Sequence, residues 1–151
     1  MKSVLISIQP KWCELIASGK KTVEVRKTRP KLETMFKVYI YCTKEKPTFT
    51  QSAFCDDISN GKVIGEFVCD RIIDSFLNNN DGWFVELGCL TPKEIDEYQG
   101  DKAILFGWHI SNLKVYDKPR ELSEFSKYGF GHPVPLKRPP QSWMYVEGPD
   151  E

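Results

Sequence analysis

Between Gly19 and Arg26 the sequence sets an ammonium, a carboxylate and a guanidinium close together, at Lys21, Glu24 and Arg26. Residues 22–26, Thr-Val-Glu-Val-Arg, alternate strictly between polar and apolar and read as a strand. Glu24 and Arg26 therefore share one face of it, near enough to touch, while Val23 and Val25 take the other. Lys21 stands at the mouth of that strand, just after Gly19. A guanidinium can grip a phosphate through two parallel N–H donors, and an ammonium adds a point charge. A carboxylate can accept from a base amino group or hold the guanidinium in place. Lys11, near the start of the preceding helix, adds to the field that attracts anions. Lys21 and Glu24 are also the pair that general acid–base chemistry would use. By spacing alone, a solvated ion pair of little energetic worth is the commoner meaning of such neighbours.

The elements that must position these groups are legible on either side. Residues 3–8 (Ser-Val-Leu-Ile-Ser-Ile) read as a first strand. Pro10 suits the first position of a helix over 10–18, with Trp12, Leu15 and Ile16 at helical spacing and Gly19 as its left-handed cap. After Pro30 comes a strand at 36–43, with Val38 and Ile40 on one face and Tyr39 and Tyr41 on the other. Residues 44–61 read as a polar loop closing on an Asn60-Gly61 turn. A strand follows at 62–73, bulged or weakened at Gly65, then a loop from Asn78 to Gly82. Thr91-Pro92-Lys93-Glu94 is a capping box that starts a helix ending near Gly100. Residues 102–116 read as a long strand bent at Gly107, and a short helix is expected between Pro119 and Tyr128. The Pro-rich end closes on an edge strand at 142–146. Five or six strands with short helices between them give a mainly β, α+β fold; pattern alone does not separate a small mixed barrel from an open sheet.

Composition narrows the class. The 151 residues fit one domain, 1–151, with no repeat and no linker long enough to divide it. Net charge is zero, which argues against non-specific coating of nucleic acid. Residues 1–46, however, carry eleven Lys/Arg against four Asp/Glu, and residues 47–105 carry the reverse. A polarised surface follows, and basic faces attract phosphates. Five cysteines, widely spaced and without a C-x-x-C pair, stand apart from His109 and His132, so no metal site and no cofactor is expected. No apolar run approaches a membrane span, and the start of the chain reads as a strand rather than a signal peptide, which points to reduced thiols and a cytoplasmic location. Aromatic residues make up 13%, with four Trp. Trp12 and Trp143 are candidates for base stacking, although core packing is the commoner role for both.

The stretch Gly19-Lys-Lys-Thr-Val-Glu-Val-Arg26 matches the Gly-x-Lys-x-x-Glu-x-Arg pattern of the ASCH family through Gly19, Lys21, Glu24 and Arg26. The surrounding Ser-Ile-Gln-Pro-Lys-Trp opening resembles the family's first strand and helix, and Pro-Pro-Gln-Ser-Trp at 139–143 is similar to the ending of many members. The resemblance spans residues 2–146. It implies a PUA-like mixed β-barrel of five to six strands with a helix after the first strand, a fold used repeatedly to bind RNA. It also implies a ligand cleft between that helix and the barrel, where Lys21, Glu24 and Arg26 would sit. Gln141 and Ser142, in the closing motif, would offer hydrogen bonds to a nucleotide; a turn cap is their plainer role.

Three readings follow from the resemblance. The first is a module that binds RNA or a modified nucleotide, through Lys11, Lys21, Glu24, Arg26, Gln141 and Ser142. The second is a small hydrolase of nucleic acid or a modified nucleoside, with Lys21 and Glu24 as catalytic groups. Some small ASCH proteins resemble this chain over Gly-Lys-Lys-Thr and hydrolyse an acylated cytidine with a lysine, a threonine and a glutamate. Lys21 matches the lysine, but Glu24 takes the threonine's place, Thr22 is out of phase, and Glu66 is one candidate for the glutamate. Ribonuclease activity has also been connected with the family, and a count of two histidines gives it no support. The third is a protein–protein adaptor in transcription regulation. Arg26→Ala is expected to weaken ligand binding and leave the fold intact, as for an exposed strand residue.

Overall fold

Ser3–Ile8 forms strand β1, and all six of its residues are buried because it lies between two neighbours with a core on each side. The computed structural model describes residues 1–44, 61–75 and 81–149. Val4, Ile6 and Ile8 enter the larger core, whereas Leu5 enters a second one on the opposite face. Burial on both faces explains why this strand reads as a nearly continuous apolar run.

From β1 the chain crosses through helix α1 (Pro10–Ala17) and strand β2 (Val23–Arg26) before β3 (Phe36–Cys42) pairs parallel to β1. Pro10 opens α1. At its end the Gly19 amide bonds to the Ile16 carbonyl and the Lys20 amide to Leu15, with Gly19 at φ +82°. These two bonds satisfy carbonyls that the helix would leave open, and glycine adopts that φ without a Cβ clash. Val38 and Ile40 face the larger core and Tyr39 and Tyr41 the second, as the alternation predicts.

Strands β4 (Lys62–Asp74) and β5 (Phe106–Arg120) form the long antiparallel ribbon of the sheet, with register shifts beside Gly65 and after Cys69. Between them lie helices α2 (Asp81–Gly88) and α3 (Pro92–Gln99). A 3-10 turn at Leu122–Glu124 leads to a two-residue strand β6 (Ser126–Lys127), and β7 (Trp143–Glu147) ends the order. The described residues make a seven-stranded mixed sheet, β2-β5-β4-β3-β1-β7-β6, mainly β with inserted helices. β6 is the strand the sequence leaves unread; two residues carry no alternation.

Three elements differ from the sequence reading. The long strand runs 106–120 rather than 102–116, because its pairing with β4 carries it past the apolar stretch. The closing strand is not an edge, since β6 pairs with it. Helix α2 takes in Asp81 and Gly82, where the sequence reads as a loop, and continues through Trp83-Phe84-Val85, an apolar run too short to reveal its period. Residues 45–60, most of the expected polar loop, lie outside the described residues.

A third apolar cluster, Val23, Val25, Phe84, Ile95 and Leu105, holds α2 and α3 against β2. Gly107 makes that approach possible: a Cβ there would lie 2.7 Å from both the Phe84 and Trp83 rings. β2 thus has one face under the helices and the other turned to a cleft.

Candidate functional site

The cleft encloses about 610 Å³ between α1, α3 and the ends of β1 and β2. Its floor is the motif strand. Glu24 is 5% exposed and Lys21 only 1%, so neither is a solvated surface group. The Lys21 ammonium donates to the Gly88 carbonyl at the end of α2, sits 3.7 Å from Glu24 Oε1, and faces the Trp12 ring at 5.1 Å. Arg26 donates through Nη2 to the Ser7 carbonyl at 2.7 Å and through Nη1 to Ser142 Oγ at 3.2 Å. The same guanidinium lies 3.7 Å from Glu24 Oε2.

Glu24 is hydrogen-bonded through one oxygen and not through the other. Oε1 accepts from the Val25 amide at 3.2 Å, in addition to facing Lys21. Oε2 is buried, and no donor among the described residues hydrogen-bonds to it. A buried carboxylate oxygen without a donor costs on the order of 1–3 kcal/mol or more, which leaves this atom with unused acceptor capacity.

Helix α3 supplies the opposite wall. Glu94, Glu97 and Tyr98 fall at i, i+3 and i+4, so they share one helix face, and all three line the cleft. The capping box is formed: the Glu94 amide donates to Thr91 Oγ1 and the Thr91 amide to Glu94 Oε1, both at 3.1 Å. The Thr91 amide bond holds the Glu94 carboxyl below its ordinary value, so it stays an anion. Burial raises Tyr98, which keeps its hydroxyl proton. Two cations already bonded to protein groups thus face three carboxylates, and the unsatisfied capacity of the cleft is that of an acceptor.

The model of the ASCH domain family matches residues 6–120. The chain belongs to the ASCH domain family. Its fold is similar to that of an ASCH protein from Zymomonas mobilis at 20% identity: a TM-score of 0.62 over 96% of this chain and 87% of the other, and 0.70 over 96% and 88% for a serine-to-alanine variant of that protein. A tyrosine-to-phenylalanine variant gives 0.62 over 97% and 91%. No curated protein matches the chain. The family match ends before the closing Pro-Gln-Ser-Trp motif, yet β7 in that segment pairs with β1, and Ser142 reaches Arg26 across the cleft.

Of the residues expected from sequence, this ASCH domain brings Lys21, Glu24, Arg26 and Gln141 into the cleft wall, with Ser142 behind Arg26. Lys11 is exposed, lies 4.5 Å from the Trp12 ring and is not part of the wall. Trp12 lines the cleft while packing on the core. Trp143 belongs to an aromatic column with Trp108 and Tyr145. The Arg26 side chain is 14% exposed, not an open strand residue, so its removal would cost stability as well as a contact. Glu66 pairs with Lys37 at 3.2 Å and accepts from Tyr116 at 3.0 Å, outside the wall; Thr22 is also outside it. Ser7 and Gln9 from the opening motif, Glu94 from the capping box, and Thr43, Glu97 and Tyr98 line the cleft beyond the residues expected there, although the spacing of Glu94, Glu97 and Tyr98 on a recognisable helix was a usable signal.

No cluster of three metal-ligating side chains occurs among the described residues, and no helix there is long and apolar enough to cross a membrane. Cys13, Cys42, Cys69 and Cys89 form no disulfide with one another; Cys55 lies outside the described residues. Burial pushes the Cys69 thiol up to about 12, which keeps it unreactive.

Proposed function

We propose that this ASCH domain binds RNA or a nucleotide in the cleft, reading an amino-bearing base through Glu24. The observation that carries the reading is the buried Glu24 Oε2, which lacks a hydrogen-bond donor at the floor of a cleft large enough for a nucleoside. Cytosine, adenine and guanine each offer an exocyclic N–H; uracil sets two carbonyl oxygens beside its single ring N–H, and these repel a carboxylate. Trp12 and Tyr98 supply ring surfaces for the base plane. Arg26, fixed by Ser7 and Ser142, holds Glu24 in register. The pairing of β7 with β1 supports reading 1–151 as one domain, and cysteines without disulfides among the described residues suit a cytoplasmic location.

The test is titration of the four ribonucleoside 5′-monophosphates into the wild type and Glu24→Gln. Because Oε1 is committed to Val25 and Lys21, the glutamine must turn its NH2 toward the ligand, donor against donor. A lost hydrogen bond to a charged group is worth about 1.5–3 kcal/mol, roughly a tenfold loss or more for the amino-bearing nucleotides. Uridine monophosphate should bind weakly to both proteins. Equal affinities in the two proteins would remove Glu24 from the binding site.

A further inference from the structure

A second concavity, about 560 Å³, adjoins the first along the loop that follows β2. It is lined by Lys27, Arg29 and Lys31, with Phe106 as its ring surface and Glu33 as its acid. We infer that this groove carries the backbone of a single-stranded RNA whose base occupies the cleft, so that the natural ligand is a polynucleotide rather than a free nucleoside. The inference rests on the cleft reading above and extends it.

Four observations support it. The three cations are exposed, and none forms an ion pair among the described residues. In the cleft itself, by contrast, Lys21 and Arg26 are spent on protein groups, so phosphate attraction has to come from elsewhere. The loop is also held rigid. The Thr28 carbonyl accepts from Trp108 Nε1 at 3.3 Å, Thr28 Oγ1 accepts from Trp143 Nε1 at 2.9 Å, and the Lys31 amide donates to the Tyr145 hydroxyl at 2.8 Å. Arg29 is braced by the carbonyls of Pro30 and Leu32. A loop ordered in advance loses little entropy when it receives a ligand. Finally, the two concavities are neighbours: Lys27 lies 4.8 Å from the Tyr98 ring, and Tyr98 lines the cleft. A cationic groove beside ring surfaces is the arrangement that follows a single strand. It also gives a use to the excess of basic residues in the first third of the chain.

The experiment compares a nucleoside monophosphate with RNA oligomers of three and eight nucleotides, titrated at several salt concentrations. The proteins are the wild type, Lys27→Ala/Arg29→Ala/Lys31→Ala, and a milder Lys27→Gln/Lys31→Gln variant that leaves the Arg29 bracing intact. For the wild type, affinity should rise at least roughly tenfold from monomer to octamer, as added phosphate contacts release counterions. The triple variant should lose that gain, with the slope of log K against log salt falling by about 2, near 0.7 per phosphate contact. The double variant should lie between, and monomer affinity should change less than about twofold in both, since the groove is reached only by a longer strand. Length-independent wild-type affinity, or an equal loss for monomer and octamer in the folded variants, would overturn the groove and leave the cleft reading standing. Absence of binding by monomer and octamer alike would defeat both.

Discussion

Lys21 has given up nearly all its contact with water, and it recovers hydrogen bonding from the Gly88 carbonyl and charge from Glu24. Burying an ammonium is tolerable only when it is paired and bonded, and removing one member of such a pair typically costs about 3–5 kcal/mol. Lys21→Met should therefore destabilise the protein by about 3 kcal/mol in urea unfolding, and adding Glu24→Gln to it should recover part of that loss. A cost below about 1 kcal/mol, the range of an exposed pair, would make Lys21 a bystander. That Glu24 and Arg26 share a face was legible in the alternation of residues 22–26, because strand geometry alone enforces it. Their burial was not legible. Gly88, Ser7 and Ser142 come to the motif from remote parts of the chain, and no local pattern announces such partners.

Among the elements, those with chemical punctuation could be read and those set by tertiary contact could not. Pro10 and Gly19 bracket α1, and Thr91 with Glu94 opens α3, because prolines, glycines and caps act locally. Helix α2 has no such mark in the described residues; its place is fixed by Phe84 packing over β2 and by the bare backbone of Gly107. Gly107→Ala should push the Phe84 and Trp83 rings away from the sheet at a cost of about 1–3 kcal/mol, read as a lowered urea midpoint. Because the end of α2 supplies the Gly88 carbonyl to Lys21, nucleotide affinity should fall in the same variant. Unchanged stability would mean that α2 rests on the sheet more loosely than the contacts indicate.

At the scale of the whole molecule, charge is segregated rather than balanced. The carboxylates of α3 face the cleft, and the cations of the loop after β2 face the adjoining groove. The sequence revealed the imbalance between its first and middle thirds, but the sheet order that sets these surfaces side by side depends on pairings between distant strands. The ASCH resemblance holds for the family and the α+β class, and the described strands take an open seven-stranded order rather than a barrel of five to six. What the chain then adds is a floor that asks for a donor and a flank that asks for phosphate. The most direct measurement is a crystal structure of the wild type with cytidine or guanosine 5′-monophosphate. The account predicts the base amino nitrogen within about 2.7–3.2 Å of Glu24 Oε2, with the single phosphate leaving the cleft short of the groove cations. A nucleotide bound with its phosphate against Arg26 and Glu24 Oε2 still without a donor, or bound outside the cleft, would contradict it.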